Sequence, residues 1–195
     1  MIDVVMIILS RQRIDINGIS ENSFFMNDNY FILTRTALLL ALTLVFQSLR
    51  FIIPIPVFFS TFLIGSLVNA CLLVAVETVG FRLALLIAII APIVAYLQQV
   101  LPLPIFIIPV ALGNVLYIGV FTIGRRWYSG LQIGVAAFSK TLFMYATFSW
   151  LLTLIAIPAK LAIGLMFVMS WPQLVTGIVG GILASIINKR LHLLS

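Results

Sequence analysis

Groups that could do covalent chemistry are scarce in this chain. It has one cysteine, Cys71, and one histidine, His192. Cys71 lies in a long apolar run, where a thiol packs as a small hydrophobe. One cysteine makes no disulfide framework and no cysteine metal site. A Ser/His/Asp triad, a zinc pair or a haem pair needs histidine inside the fold, and His192 is in the tail. Of the five acids, Asp3, Asp15, Glu21 and Asp28 precede the first long apolar run, and only Glu77 lies in or beside one. There is no GxSxG elbow, no HExxH and no GxxxxGK[ST] loop. Catalytic residues, a metal and a cofactor are therefore not expected, and the chain has no motif for hydrolysing a nucleotide.

Binding chemistry is better represented, by polar residues set into apolar runs. Such residues are costly in lipid and usually face the interior or a cavity. Gln47 and Arg50 are three apart and share a helix face. Arg50 either snorkels to headgroups or contacts a substrate. Asn69 and Asn114 lie midway along their runs, with Tyr117 following Asn114 on its face. Two readings fit these amides, substrate contact and interhelical hydrogen bonding. Gln98 and Gln99 precede an LPLP turn and either cap a helix or line an entrance. Lys140 sits in a run with no acid at its depth except Glu77. It could lose its proton, meet backbone carbonyls, bind an anionic group or dock a partner. Trp150 suits an aromatic belt. In MSWPQLVTG, Pro172 frees a carbonyl one turn earlier, and Ser170, Gln173 and Gly177 share a face beside Trp171. That break is the strongest pocket signal in the sequence.

The elements that must position these groups follow from composition. The chain has 195 residues, 63% hydrophobic and 8% charged, against about 25% charged in a soluble domain. Mean hydropathy is +1.26. The runs are continuously apolar rather than alternating, which disfavours a porin-type barrel. About 20 apolar residues cross a bilayer core, so the fold expected is all-α, a bundle of six transmembrane helices. They read as 32–53, 57–79, 83–100, 103–123, 131–157 and 161–187. Pro54 and Pro56, Gly80 to Arg82, Pro102 and Pro104, the RRWYSG loop, and Pro158 with Lys160 separate them.

Lys and Arg set the direction. With both termini inside, the cytoplasmic segments hold Arg11, Arg13, Arg35, Arg82, Arg125, Arg126, Lys189 and Arg190. Arg50 and Lys160 lie outside, and Lys140 lies within a span. The net charge of +6 then marks the inner face and gives no reason to expect nucleic acid. Residues 1–30 stand apart as an N-terminal extension before a membrane domain of 31–195. Their apolar stretch is too short to span, and it reads as a disordered or surface-lying tail, or as sequence upstream of a natural start at Met26.

Small residues make two further faces, Ala37 with Ala41, and Gly177 with Gly181 beside Gly180 and Ala184. Such pairs let helices approach closely. The stretches LTRTALLLALTLVFQSLRFIIP, FLIGSLVNACLLVAVETVG, APIVAYLQQVLPLP and IPVALGNVLYIG resemble the substrate-binding S-components of energy-coupling factor (ECF) transporters. The resemblance runs from Thr34 to Arg190, and its strongest local sign is Ala37-xxx-Ala41. It implies a subunit of a bacterial plasma membrane that binds a vitamin-like small molecule from outside. It also implies partners: a transmembrane T-component packed against Ala37 and Ala41, and two cytoplasmic ATPases. The pocket it implies is lined by Gln47, Arg50, the 54–61 loop, Gln98, Asn114, Tyr117, Trp171 and Gln173, with Lys140 too deep to place. A small stand-alone secondary transporter is the alternative expected, although intramembrane carboxylates and clear repeats are lacking.

Overall fold

Unbroken apolar runs leave a chain few ways to satisfy its backbone in lipid, and helices do so within each segment. The computed structural model describes residues 28–52 and 56–194, and every regular element among them is helical. The helices are α1 (Asp28–Ile52), α2 (Val57–Thr78), α3 (Phe81–Leu97), α4 (Ile107–Ile123), α5 (Ser129–Leu154), α6 (Ala159–Val168) and α7 (Trp171–Leu194). Short 3-10 turns, Pro104–Phe106 and Gly124–Arg126, flank α4. Residues 28–30 of the expected tail open α1, and the rest of it, the late start at Met26 and the Pro54 break lie outside the described residues.

Five helical segments are long and apolar enough to cross a membrane: Tyr30–Ile52, Phe58–Thr78, Pro104–Arg126, Ser129–Leu154 and Ala159–Leu191. The third expected span, 83–100, is a shorter helix. Its 17 residues cover about 26 Å at 1.5 Å each. The cause is local. Gln99 N–H bonds to the Tyr96 carbonyl and Val100 N–H to that of Ala95, a Schellman motif that ends the helix. Gln99 takes the left-handed position, φ 59°, where glycine is usual. Both roles open to the adjacent glutamines are seen: the backbone here caps the helix, and Gln99 also lines a surface depression.

The last expected span is also divided. α6 ends at Val168, and Pro172 takes the second position of α7, where its fixed φ suits a helix start. The break thus falls at Met169 and Ser170, just before the proline.

Helix α2 is the centre of the bundle. Every residue from Ala70 to Val76 is buried, as an all-round apolar helix requires. Its main neighbour is α7. A Cβ at Gly180 would lie 2.6 Å from Asn69 Cβ and 2.8 Å from the Ser66 carbonyl oxygen, so only glycine allows this approach. On the adjoining face of α7, Gly177 and Gly181 meet Ala137 and Ile133 of α5. The glycine face of α7 is therefore spent inside the bundle. The alanine face of α1 is not: Ala37 and Ala41 are exposed, in a row with exposed Leu33 and Val45.

The two ends differ. Arg125 Nε lies 3.6 Å from Glu77 Oε1, and Arg125 also donates to the Val76 carbonyl, 3.3 Å, which joins the ends of α2 and α4. This end is basic. Leu72, Leu73, Val76, Ile118, Ile133 and Ala184 belong to one continuous core there. A separate core around Phe106, Phe148 and Met169 packs the opposite half. Phe106 and Phe148 stack at 5.1 Å.

Candidate functional site

Two prolines shape the interior. Pro92 lies inside α3, and its missing N–H leaves the Ala88 carbonyl without a helical donor. Asn114 of α4 supplies one, Nδ2 to the Ala88 oxygen at 3.3 Å. Pro172 does the same to Val168 at the α6–α7 break, and Gln173 Nε2 donates to the Val168 oxygen at 3.2 Å. Each amide nitrogen is thus committed to a carbonyl that a proline exposes.

With its nitrogen so placed, Asn114 turns Oδ1 to Lys140 of α5, and Lys140 Nζ donates to it at 2.9 Å. Lys140 Nζ also donates to Asn69 Oδ1 of α2 at 2.7 Å. Asn69 Nδ2 donates to Thr176 Oγ1 of α7 at 3.3 Å. The Lys140 nitrogen lies 5.2 Å from the centre of the Tyr117 ring, within cation–π range. Tyr117 is fully buried, and its hydroxyl donates to the Gly177 carbonyl at 2.6 Å. One continuous polar chain therefore joins α3, α4, α5, α2 and α7. Helix α1 joins through Gln47, whose Nε2 donates to the Ala91 carbonyl at 3.1 Å. Gln47 Oε1 is buried without a partner, and Arg50 Nε donates to the Gln47 carbonyl at 3.0 Å.

These groups surround a cavity of about 150 Å³. Its polar lining is Gln47, Arg50, Asn69, Asn114, Lys140 and Gln173, with Thr61 and Thr176. Its apolar lining includes Ile64, Val68, Val110 and Met144. A wider depression of about 610 Å³ adjoins it, sharing Arg50, Thr61, Val100, Val168 and Met169 and reaching Lys160 and Phe167. Among the described residues no acid lines either space.

The expected site residues divide. Gln47, Arg50, Asn114 and Gln173 come together on the cavity wall. Gln98, Tyr117 and Trp171 do not line it. Gln98 Nε2 instead donates to Ser48 Oγ at 3.0 Å. Tyr117 lies behind Lys140. Trp171 is half exposed and belongs to an aromatic group, 5.4 Å from Phe62 and 5.7 Å from Phe167 between ring centres. Sequence alone gives Lys140 no place and leaves Asn69 as either interhelical glue or a substrate contact. Both line the cavity. The usable signal was Pro92: a proline within a span calls for a polar group on a neighbouring helix, and that group, Asn114, leads to Lys140.

Among the described residues no group of three His, Cys, Asp or Glu comes together that could hold a metal ion. The arrangement offers hydrogen bonds and positive charge, the means of holding a ligand in place. No family model matches this chain, and no curated protein or solved structure is found similar to it.

Proposed function

We propose that this chain is a substrate-binding S-component of an ECF-type transporter, a membrane subunit that captures a vitamin-like solute and depends on partner ATPases for its import. In this reading the shorter helix α3 counts as a sixth membrane pass, both termini are cytoplasmic, and the membrane is the bacterial plasma membrane. The observation that carries the reading is a one-sided cavity. Polar groups from five helices line it in one half of the bundle, while a continuous hydrophobic core packs the basic half behind it. A binding subunit needs a pocket that dead-ends. An open pore would need a second way out.

Three further features support it. The basic end matches the inner face that Lys and Arg positions favour. The sequence has no nucleotide-binding loop, so energy must come from elsewhere. The Ala37–Ala41 row on α1 is small, exposed and unused by the bundle, which suits close packing of a T-component helix.

The test is reconstitution of the purified chain in liposomes with and without a T-component and its two ATPases. Uptake that requires all partners and ATP is the expected result. Uptake by the chain alone, without ATP, would instead establish a secondary transporter.

A further inference from the structure

Lys140 is buried and has no counter-charge among the described residues. Its Nζ meets two amide oxygens, Asn69 Oδ1 and Asn114 Oδ1. Glu77, the one acid whose side chain is described, is 3.6 Å from Arg125 at the basic end. After Glu77 the sequence contains no acid at all. A buried ammonium without an anion is costly. It also has three N–H donors, of which two are used here. No acceptor among the described residues takes the third, and the cavity wall carries a second cation, Arg50, whose hydrogen bond to the Gln47 carbonyl uses Nε rather than its terminal nitrogens.

Gln47 Oε1 supplies the complementary observation. It is a buried acceptor with no partner among the described residues, carried by a side chain that lines the same cavity. An unmet acceptor asks for an N–H or O–H. Asn69, Asn114, Gln173, Thr61 and Thr176 add further polar groups, and the rest of the wall is aliphatic and thioether. A cavity of this volume holds a body of about the size of a benzene ring.

We infer that the cavity takes a small organic carboxylate that also carries an N–H or O–H donor, its carboxylate on Lys140 and its donor on Gln47. The inference rests on the binding-subunit reading and gives that site its substrate class. The two amides hold the Lys140 amine in place by two hydrogen bonds and leave its charge for the ligand. The aliphatic wall excludes water and favours a compact apolar body.

The test uses the full purified chain in detergent and matched probes: 4-hydroxybenzoate against 4-hydroxybenzamide, and pyrrole-2-carboxylate against pyrrole-2-carboxamide. The expected result is a rise in unfolding temperature of about 4 °C with an acid at saturating concentration and none with its amide. The rise disappears in Lys140→Met. It also disappears in Asn69→Asp, which hands Lys140 an internal carboxylate while keeping the amine paired, so loss there is not loss of folding. Gln47→Leu weakens the shift from the donor-bearing acid and leaves that from benzoate unchanged. Equal shifts from acid and amide, a shift that survives Lys140→Met, a shift reproduced by chloride or phosphate alone, or no shift from any acid would each overturn the inference. Failure here is separable from failure of the transport reading. ATP-driven uptake of a solute without a carboxylate sinks only the inference, and acid binding without ATP-driven uptake sinks only the transporter.

Discussion

Asn114 Nδ2 lies 3.3 Å from the carbonyl oxygen of Ala88, the group that Pro92 leaves without a helical donor. The contact repairs α3 and, by fixing which end of the amide faces which way, aims Oδ1 at Lys140. Asn114→Leu is therefore expected to destabilise the protein by about 1–3 kcal/mol, the cost of stranding buried polar groups. In a Pro92→Ala background the helical N–H returns and the same substitution costs less. A double-mutant cycle on unfolding in detergent measures the difference, and additivity within about 0.5 kcal/mol would refute the coupling.

Gly180 holds α7 against α2 where a Cβ would fall 2.6 Å from that of Asn69. Gly180→Ala should cost about 1–3 kcal/mol by overpacking. Because the clash is with Asn69, it should also disturb the Lys140 hydrogen bond, so ligand-induced stabilisation should fall along with stability. Thermal unfolding with and without ligand reads both, and an unchanged melting temperature would show that the helices part freely.

Gln99 occupies a left-handed position at the end of α3. A side chain there costs about 1–2 kcal/mol relative to glycine, partly offset by the greater freedom glycine has when unfolded. Gln99→Gly should raise the unfolding temperature slightly and leave the fold intact. Gln99→Val should lower it, since a branched Cβ tolerates positive φ worst. The reverse order would mean that the Schellman end does not form.

Ala37→Trp and Ala41→Trp test the exposed face of α1. Neither position is buried in the bundle. Substrate binding by the isolated chain should be unchanged within about twofold, a difference of ~0.4 kcal/mol, while ATP-dependent uptake by the assembled transporter is abolished. Isothermal titration reads the first and vesicle uptake the second. Loss of binding in the isolated chain would place these alanines in intrabundle packing.

The sequence by itself determined that the described chain is helical and that its apolar runs can lie in a membrane. Those properties follow from local composition: continuous apolar runs, prolines at their ends, and few charges within them. It also named the polar residues worth attention, since a Gln, Asn or Lys in such a run stands out without any knowledge of its neighbours. Helix ends were less legible. The stop at Leu97 depends on a left-handed Gln99, a residue that gives no turn signal of its own.

What only the tertiary structure decided is which polar residues meet. Lys140, Asn69 and Asn114 are 26 to 71 residues apart, and their hydrogen bonds exist because α5, α2 and α4 pack side by side. Span-by-span depth counting put Lys140 below the pocket, but the amides of two neighbouring helices fix its amine on the cavity wall. The same packing removed Trp171, Tyr117 and Gln98 from that wall. A residue's type states what bond it needs. Only the packing of helices distant in sequence states which partner, or which unfilled cavity, will provide it.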